Sequence, residues 1–208
     1  ISEGPAAIAL SRGGAAKTYP HAEPNEDAVA FAVGAGGALI AVADGHHGSS
    51  GSQAVLQHLL ESVAAAWTAR AGPHPSPAAW HEALRELLLT SNHAVLEQAA
   101  RAATAPAPTT LGLVLVRPGE DLLLHASVGD SLLFRADSAG GVRPLAPAAQ
   151  REPWFLGQEA ATRAGIDARC QFASQSLAGC RALLLATDGL SERGIGVADP
   201  VASAQAAI

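Results

Sequence analysis

Carboxylates that stand beside apolar, strand-like runs are the residues of this sequence best suited to chemistry. They occur before AVAFAV, after ALIAVA, between DLLLHASV and SLLFRA, and after ALLLAT. These residues are Glu26, Asp27, Asp44, Asp130 and Asp188. Glycine next to a strand end, as in Asp44-Gly45, lets the backbone and a carboxylate approach a ligand together. Several converging carboxylates suit a hard divalent cation such as magnesium or manganese.

Each of these residues has a simpler interpretation when it is taken alone. An Asp-Gly pair after a strand is more often a turn than a ligand site. Asp130 would then belong to a hairpin turn, and Asp188 to a turn or a helix cap. His46, two residues after Asp44, would be a polar loop residue. The joint order and spacing of the acids, rather than any single pair, favours the metal-binding interpretation.

Hydrophobic periodicity predicts the elements that must position these acids. Strands are expected at 6–11, 28–33, 38–43, 110–116, 121–128, 131–136, 169–176 and 181–187, and helices at 50–70, at 77–102 and after Asp199. Residues 144–166, rich in Pro, Ala and Gly, are expected to be irregular. Strands, two helices and then a meander of strands give an α+β order. We expect an antiparallel sheet, or two stacked sheets, with the long helices covering one face.

The composition disfavours several classes of partner. A formal net charge of −6 argues against nucleic acid and against an anionic membrane surface. No apolar run approaches the roughly 20 residues of a membrane helix, and residues 1–14 lack the regions of a signal peptide. A cytoplasmic location is therefore expected. The Ala- and Gly-rich, Lys-poor composition is typical of a high-GC bacterial gene.

The two cysteines are not expected to form a disulfide. If segments 169–176 and 181–187 pair as a hairpin, Cys170 lies opposite Thr187 rather than Cys180. Cysteines that are out of register cannot reach bonding distance.

Five blocks of this sequence together resemble one known family. They are PNEDA (24–28), VADGHHG (42–48), TTLGLVLV (109–116), SVGDSLL (127–133) and LLLATDGLSE (183–192). In this order they are similar to the metal-dependent type-2C family of serine/threonine protein phosphatases, over about residues 20 to 195. The resemblance implies a four-layer αββα sandwich, in which two stacked, mainly antiparallel sheets are flanked by helix pairs. It also implies two divalent cations, manganese or magnesium, bridged by a water or hydroxide.

The resemblance gives roles to the residues around these cations. Asp44 would bridge both, Gly45 would offer its carbonyl oxygen, and Asp188 would hold the first cation. Glu26 would bind the second cation directly or through water. Asp27 would orient that shell by hydrogen bonding.

Two further residues match positions of the family. Asp130 is similar to the ligand of a third, more weakly held cation. His46 matches the proposed general acid, which gives a proton to the leaving serine or threonine oxygen; imidazole exchanges protons near neutral pH. His47 has no role in the resemblance and is expected to be structural.

The sequence departs from the family at two places. The arginine that binds the substrate phosphate, three residues before Asn25, is replaced by Ala22. Lys17 and His21 are weak candidates for its role, since lysine does not reproduce the bidentate grip of arginine. The family's final Asp-Asn turn and last strand would lie beyond Ile208. We expect a trimmed C-terminus rather than a genuine loss.

Residues 144–166, the flap segment, correspond to the family's variable flap. Two interpretations of its sequence Trp154-Phe155-Leu156-Gly157 stay open: substrate selection and a hydrophobic anchor.

The expected function is hydrolysis of phosphoserine and phosphothreonine in proteins by in-line attack of a cation-bridging hydroxide. Residues 1–208 are expected to form one domain, acting as a monomer on a phosphoprotein substrate. Ala22 and the missing last acid favour an alternative, a catalytically weak or inactive regulatory or binding module. The retained acids and His46 favour activity. A third interpretation is a metallohydrolase of small phosphoesters.

Overall fold

Ten strands and five α-helices occur in the part of the chain described by the computed structural model, residues 1–10, 25–69, 76–146, 153–191 and 196–208. The strands are β1 (Ser2–Glu3), β2 (Ala6–Ala7), β3 (Ala28–Gly34), β4 (Gly37–Ala43), β5 (Leu111–Arg117), β6 (Leu122–Val128), β7 (Leu132–Asp137), β8 (Val142–Pro144), β9 (Gln171–Gln175) and β10 (Cys180–Ala186). The helices are α1 (Ser50–Leu59), α2 (Ala65–Thr68), α3 (Pro77–Ala102), α4 (Arg163–Arg169) and α5 (Pro200–Ala207). A π-helical turn, Leu60–Ala64, joins α1 to α2.

Two main antiparallel sheets form the centre of the fold. The larger has the strand order β3-β4-β5-β6-β9, and the smaller has the order β10-β7-β8. The strands β1 and β2 pair as a separate ribbon. The chain passes from the larger to the smaller sheet through residues 129–131, since β6 ends at Val128 and β7 begins at Leu132.

The alternation of side chains along β5 explains why the larger sheet is buried on both faces. Leu111, Leu113 and Leu115 belong to the core shared with α1 and α3, whereas Val114 packs with Leu123 and residues of the smaller sheet. On its other side the smaller sheet contacts α5 through β7 and β8. The result is the mixed αββα layering expected from the sequence.

The predicted helices are confirmed with small differences in their ends. The helix expected at 50–70 is present as α1, the π-helical turn and α2. The helix expected at 77–102 is α3; Ser76 caps its N-terminus by accepting a hydrogen bond from the Ala79 N–H at 3.2 Å. Asp199 caps α5 in the same way, through the Ala202 N–H at 2.9 Å.

Segments 169–176 and 181–187 do not pair with each other as a hairpin. β9 pairs with β6 in the larger sheet, and β10 pairs with β7 in the smaller one. Partly buried Phe172 of β9 packs against the core shared with the helices, whereas Leu183 and Leu185 of β10 pack against the second core. Cys170, just before β9, and Cys180, the first residue of β10, are both free, as expected.

Two other segments differ from the expectation. Of the strand expected at 6–11, the described residues 6–10 contain the two-residue β2. The segment expected to be irregular, 144–166, includes the last residue of β8 and the first residues of α4, beginning at Arg163. Among the described helices, none combines the length and the apolar character that crossing a bilayer requires.

Candidate active site

The register of the first hairpin brings two of the predicted acids to one end of the larger sheet. Ala28 of β3 pairs with Ala43 of β4. Asp27 directly precedes the first of these residues, and Asp44 directly follows the second. An antiparallel pairing therefore places both acids beyond the same end of the ladder.

The smaller sheet delivers two more acids in the same manner. Ala186 of β10 pairs with Leu132 of β7, so Asp188 and Asp130 lie just beyond this pair. Thr187, directly after β10, donates a hydrogen bond to Asp27, directly before β3, so the ends of the two sheets meet. We call Asp27, Asp44, Asp130 and Asp188 the acidic cluster.

The electrostatics of Asp44 are the clearest sign of this convergence. Burial first, and then the hydrogen bond to Asp188 and the repulsion by Asp27, raise the pKa of Asp44 to about 9. Asp27 itself accepts a hydrogen bond from Thr187 Oγ1 at 3.2 Å. Like charges that are held together out of water favour the protonated acid, or a bound cation that neutralises them.

The pKa of Asp130 is also shifted by burial and by nearby charges. Burial and the charge of Asp188 raise its pKa, while His46 lowers it. Its Oδ1 atom is buried and makes no hydrogen bond within the described part of the chain. A carboxylate oxygen in this position is chemically suited to bind a cation.

Two threonines at the start of β5 hold the backbone of Asp44. The N–H of Asp44 donates to Thr110 Oγ1 at 2.9 Å, and Thr109 Oγ1 donates to the Asp44 carbonyl at 2.8 Å. Thr110 Oγ1 also lies 2.8 Å from Ser131 Oγ, which links the two sheets. None of these three residues has a role predicted from the sequence. The two threonines belong to the block TTLGLVLV, but their hydrogen bonds to Asp44 span 66 and 65 residues of chain.

The glycine after Asp44 is required by its surroundings. A Cβ atom on Gly45 would lie 2.6 Å from the Glu26 carbonyl oxygen and 2.7 Å from that of Gly48. The same Glu26 oxygen accepts hydrogen bonds from the Gly45 N–H at 3.2 Å and from Ser52 Oγ at 2.6 Å. The backbone of Glu26, whose side chain is buried, is therefore fixed beside Asp44.

His46 is held between the turn and the flap segment. Its N–H donates to the Pro108 carbonyl at 2.7 Å, and its ring packs edge-to-face on Phe155 with centroids 4.3 Å apart. His47 is exposed and has a left-handed φ of 68°, in keeping with a structural role in the turn.

The residues of the cluster fit a hard divalent cation by their chemistry. All are oxygen donors, the charge of Asp44 is unfavourable without a cation, and Asp130 has a buried oxygen without a donor. Among the described residues, no three His, Cys, Asp or Glu side chains already form a group that could hold a metal ion.

The positions predicted for phosphate binding lie outside the described residues. They are Lys17, His21 and the departure at Ala22. The flap segment, in contrast, is described from residue 153 onward and reaches the site through Phe155.

One known protein family matches most of the chain. The family model described as Protein phosphatase 2C matches residues 16–205. None of the curated proteins matches the chain.

Several solved bacterial structures share this fold. Serine/threonine phosphatase Stp1 from Staphylococcus aureus is 20% identical, with 84% of this chain and 74% of that chain covered and a TM-score of 0.63. The catalytic domain of PstP, solved in complex with two manganese ions, is 20% identical over 86% of this chain and 75% of that chain, with a TM-score of 0.60. PppA of Pseudomonas aeruginosa is 22% identical over 80% of this chain and 71% of that chain, with a TM-score of 0.57.

Proposed function

The chain belongs to the protein phosphatase 2C family, and from this premise we propose that it is a metal-dependent phosphatase that hydrolyses phosphoserine and phosphothreonine in proteins. The observation that carries the proposal is the acidic cluster, above all the raised pKa of Asp44 between Asp27 and Asp188. Buried carboxylates that lie close together and have raised pKa values are typical of functional sites. The fold shared with bacterial serine/threonine phosphatases supports the same substrate class.

The proposed cofactors are two manganese or magnesium ions, with a third, weaker one. Asp44 and Asp188 would hold the first ion, Asp44 and Glu26 the second, and Asp130 the third, and the Gly45 carbonyl would bind one of the first two. The manganese ions of PstP support this choice of metal. Bound cations would lower the pKa of a water placed between them and stabilise negative charge on the phosphate.

The chain's own residues supply the remaining steps. Asp27 would orient the groups around the second ion by hydrogen bonding. When the water oxygen bonds to phosphorus, the bond from phosphorus to the serine or threonine oxygen breaks, and its electron pair stays on that oxygen. The protonated imidazole of His46 gives this oxygen a proton, so that the alcohol leaves neutral, while the attacking water loses a proton to solvent.

The proposal also covers the organisation of the chain. Residues 1–208 form one domain, acting as a monomer in the cytoplasm, and the flap segment 144–166 lies beside the site. The contact between Phe155 and His46 supports this place for the flap segment. Lys17 and His21 remain the candidates for binding the substrate phosphate.

Manganese-dependent hydrolysis of a phosphothreonine peptide tests the proposal. We expect turnover that requires manganese and falls at least about 100-fold in Asp44→Asn, since the first ligand of both ions is lost. Asp167→Asn is the matched control, because this aspartate only pairs with Arg85 on the surface.

Three other outcomes would contradict parts of this proposal. Cation binding by calorimetry without turnover of the peptide or of small phosphoesters would favour the regulatory module. Turnover of small phosphoesters alone would favour a small-molecule phosphatase. No cation binding would refute the assigned ligands.

A further inference from the structure

The imidazole of His46 has a neighbour that the proposed mechanism does not use. The ring of Phe155 packs against it with centroids 4.3 Å apart and planes inclined by 69°. Edge-to-face pairs of this kind fix the relative orientation of two rings. Phe155 also approaches the turn between the sheets, since a Cβ atom on Gly129 would lie 3.3 Å from its Cδ1.

The position of Phe155 is set by the residues on either side of it. Trp154 and Leu156 are buried in the core shared by the larger sheet and the helices, with exposed fractions of 9% and 0%. Leu156 also pairs with Thr109 through two backbone hydrogen bonds, each of 2.9 Å. Because both neighbours point into the core, the alternating chain directs Phe155 the other way, toward His46.

A second anchor comes from α3. Asn92, which is buried, accepts a hydrogen bond from the Gly157 N–H at 2.8 Å and donates one to the Glu159 carbonyl at 3.1 Å. Gly157 has a left-handed φ of 83°, and a Cβ atom there would lie 2.3 Å from Val95 Cγ1. The flap segment is thus fastened to the helix immediately after Phe155.

Within the described residues, no hydrogen bond at Nε2 fixes the His46 ring. Its backbone N–H is held by the Pro108 carbonyl, but its Nε2 atom is buried and makes no hydrogen bond within the described residues. The orientation of the imidazole is therefore set by packing rather than by a hydrogen bond at Nε2.

We propose that Phe155 is a positioning residue, which holds the His46 imidazole in the orientation from which it gives its proton to the leaving oxygen. The inference rests on the proposed function. It assigns the flap segment a role in proton transfer, with Asn92 and the Thr109–Leu156 pairing as its supports.

The leaving group separates this role from a merely structural one. A threonine alkoxide is a poor leaving group and needs the proton, whereas p-nitrophenolate leaves readily without one. Misplacing His46 should therefore slow hydrolysis of a phosphothreonine peptide and leave hydrolysis of p-nitrophenyl phosphate nearly unchanged.

The experiment compares kcat for both substrates at saturating manganese. Since an aromatic edge-to-face pair is worth about 0.5–1.5 kcal/mol, Phe155→Leu should lower kcat for the peptide by about 2- to 10-fold and kcat for p-nitrophenyl phosphate by less than about 2-fold. His46→Asn should show the same pattern with a larger loss, and Phe155→Tyr, which keeps the ring, should restore the peptide rate. In His46→Asn, adding Phe155→Leu should have no further effect on the peptide.

Phe172→Leu is the matched control. Phe172 forms the same kind of edge-to-face pair with His81, 5.7 Å between centroids, on β9 and α3 rather than in the acidic cluster. It should change neither rate. A second readout does not depend on activity: in the metal-free chain, nuclear Overhauser contacts should join the Phe155 and His46 rings, and Phe155→Leu should shift the His46 ring protons while Phe172→Leu should not.

Three results would overturn the inference. Equal losses for both substrates in Phe155→Leu would mean a general structural role. Absence of the ring-to-ring Overhauser contact would remove the geometric basis. A wild-type chain that hydrolyses neither substrate would refute the proposed function itself and the positioning role with it, a result distinct from wild-type activity with equal losses.

Discussion

Replacing Asp44 by asparagine should stabilise the metal-free protein while abolishing its response to cations. Asparagine keeps the shape of the side chain but carries no charge. In the metal-free chain it therefore removes the free-energy cost of burying a negative charge at this position and of placing that charge near Asp27 and Asp188. With manganese present, the same change removes the residue proposed to bridge both ions.

The size of the first effect follows from the pKa of Asp44, which rises from its ordinary value of 3.8 to about 9. One pKa unit corresponds to about 1.4 kcal/mol. At pH 7 the acid is protonated in the folded chain and ionised in the unfolded one. The loss of folding free energy at pH 7 therefore corresponds to the interval between the unfolded pKa of 3.8 and pH 7, not to the whole pKa shift. This loss is about 4 kcal/mol as an upper bound.

The sign of the pH dependence follows as well. The folded chain keeps a proton that the unfolded chain releases, so the metal-free wild type loses stability as pH rises from about 4 to about 9. The gain in stability of metal-free Asp44→Asn over the wild type should be small at pH 5 and larger at pH 8.

Thermal unfolding followed by circular dichroism in EDTA measures this effect. We expect the Tm of Asp44→Asn to exceed that of the wild type by about 5 to 10 °C at pH 7. Manganese should raise the Tm of the wild type and leave that of the variant nearly unchanged. Asp167→Asn, at an exposed ion pair with Arg85, should follow the wild type in both conditions. A lower Tm of Asp44→Asn in EDTA, or a rise in the Tm of Asp44→Asn with manganese as large as that of the wild type, would refute the reasoning.

Three further predictions concern residues around the core and the site. Burial lowers the pKa of His125 to about 4, so the wild type should lose about 3 kcal/mol of unfolding free energy relative to His125→Leu as pH falls from 7 to 4. The same pH dependence of urea unfolding in both proteins would contradict this. Asn92→Ala leaves the Gly157 N–H without its acceptor and should cost about 2 kcal/mol in urea unfolding; an unchanged midpoint would argue against the anchor. Thr110→Val removes the acceptor of the Asp44 N–H and should weaken manganese binding about 10-fold by calorimetry, whereas Thr110→Ser should bind normally.

Local sequence signals predicted most of the elements. The spacing of apolar residues predicted a helix at 77–102, which are the observed ends of α3; in the structure Ser76 caps this helix and Pro77 begins it. Alternation and glycine-containing turns predicted the strands that end at the acidic residues. The placement of an acid at a strand end is a local property, so the residues of the cluster could be identified before the fold was known.

Tertiary structure decided which strands and side chains meet. β9 and β10 are neighbours in sequence but belong to different sheets, and their partly buried apolar residues, Phe172 and Leu183, pack against two different cores. The raised pKa of Asp44 depends on Asp188, which is remote in sequence and arrives from the other sheet. The contact of Phe155 with His46 depends on anchors in the core and on α3. Sequence periodicity therefore determined the elements and their chemical groups, whereas the close approach of those groups required the long-range packing that brings the ends of two sheets together.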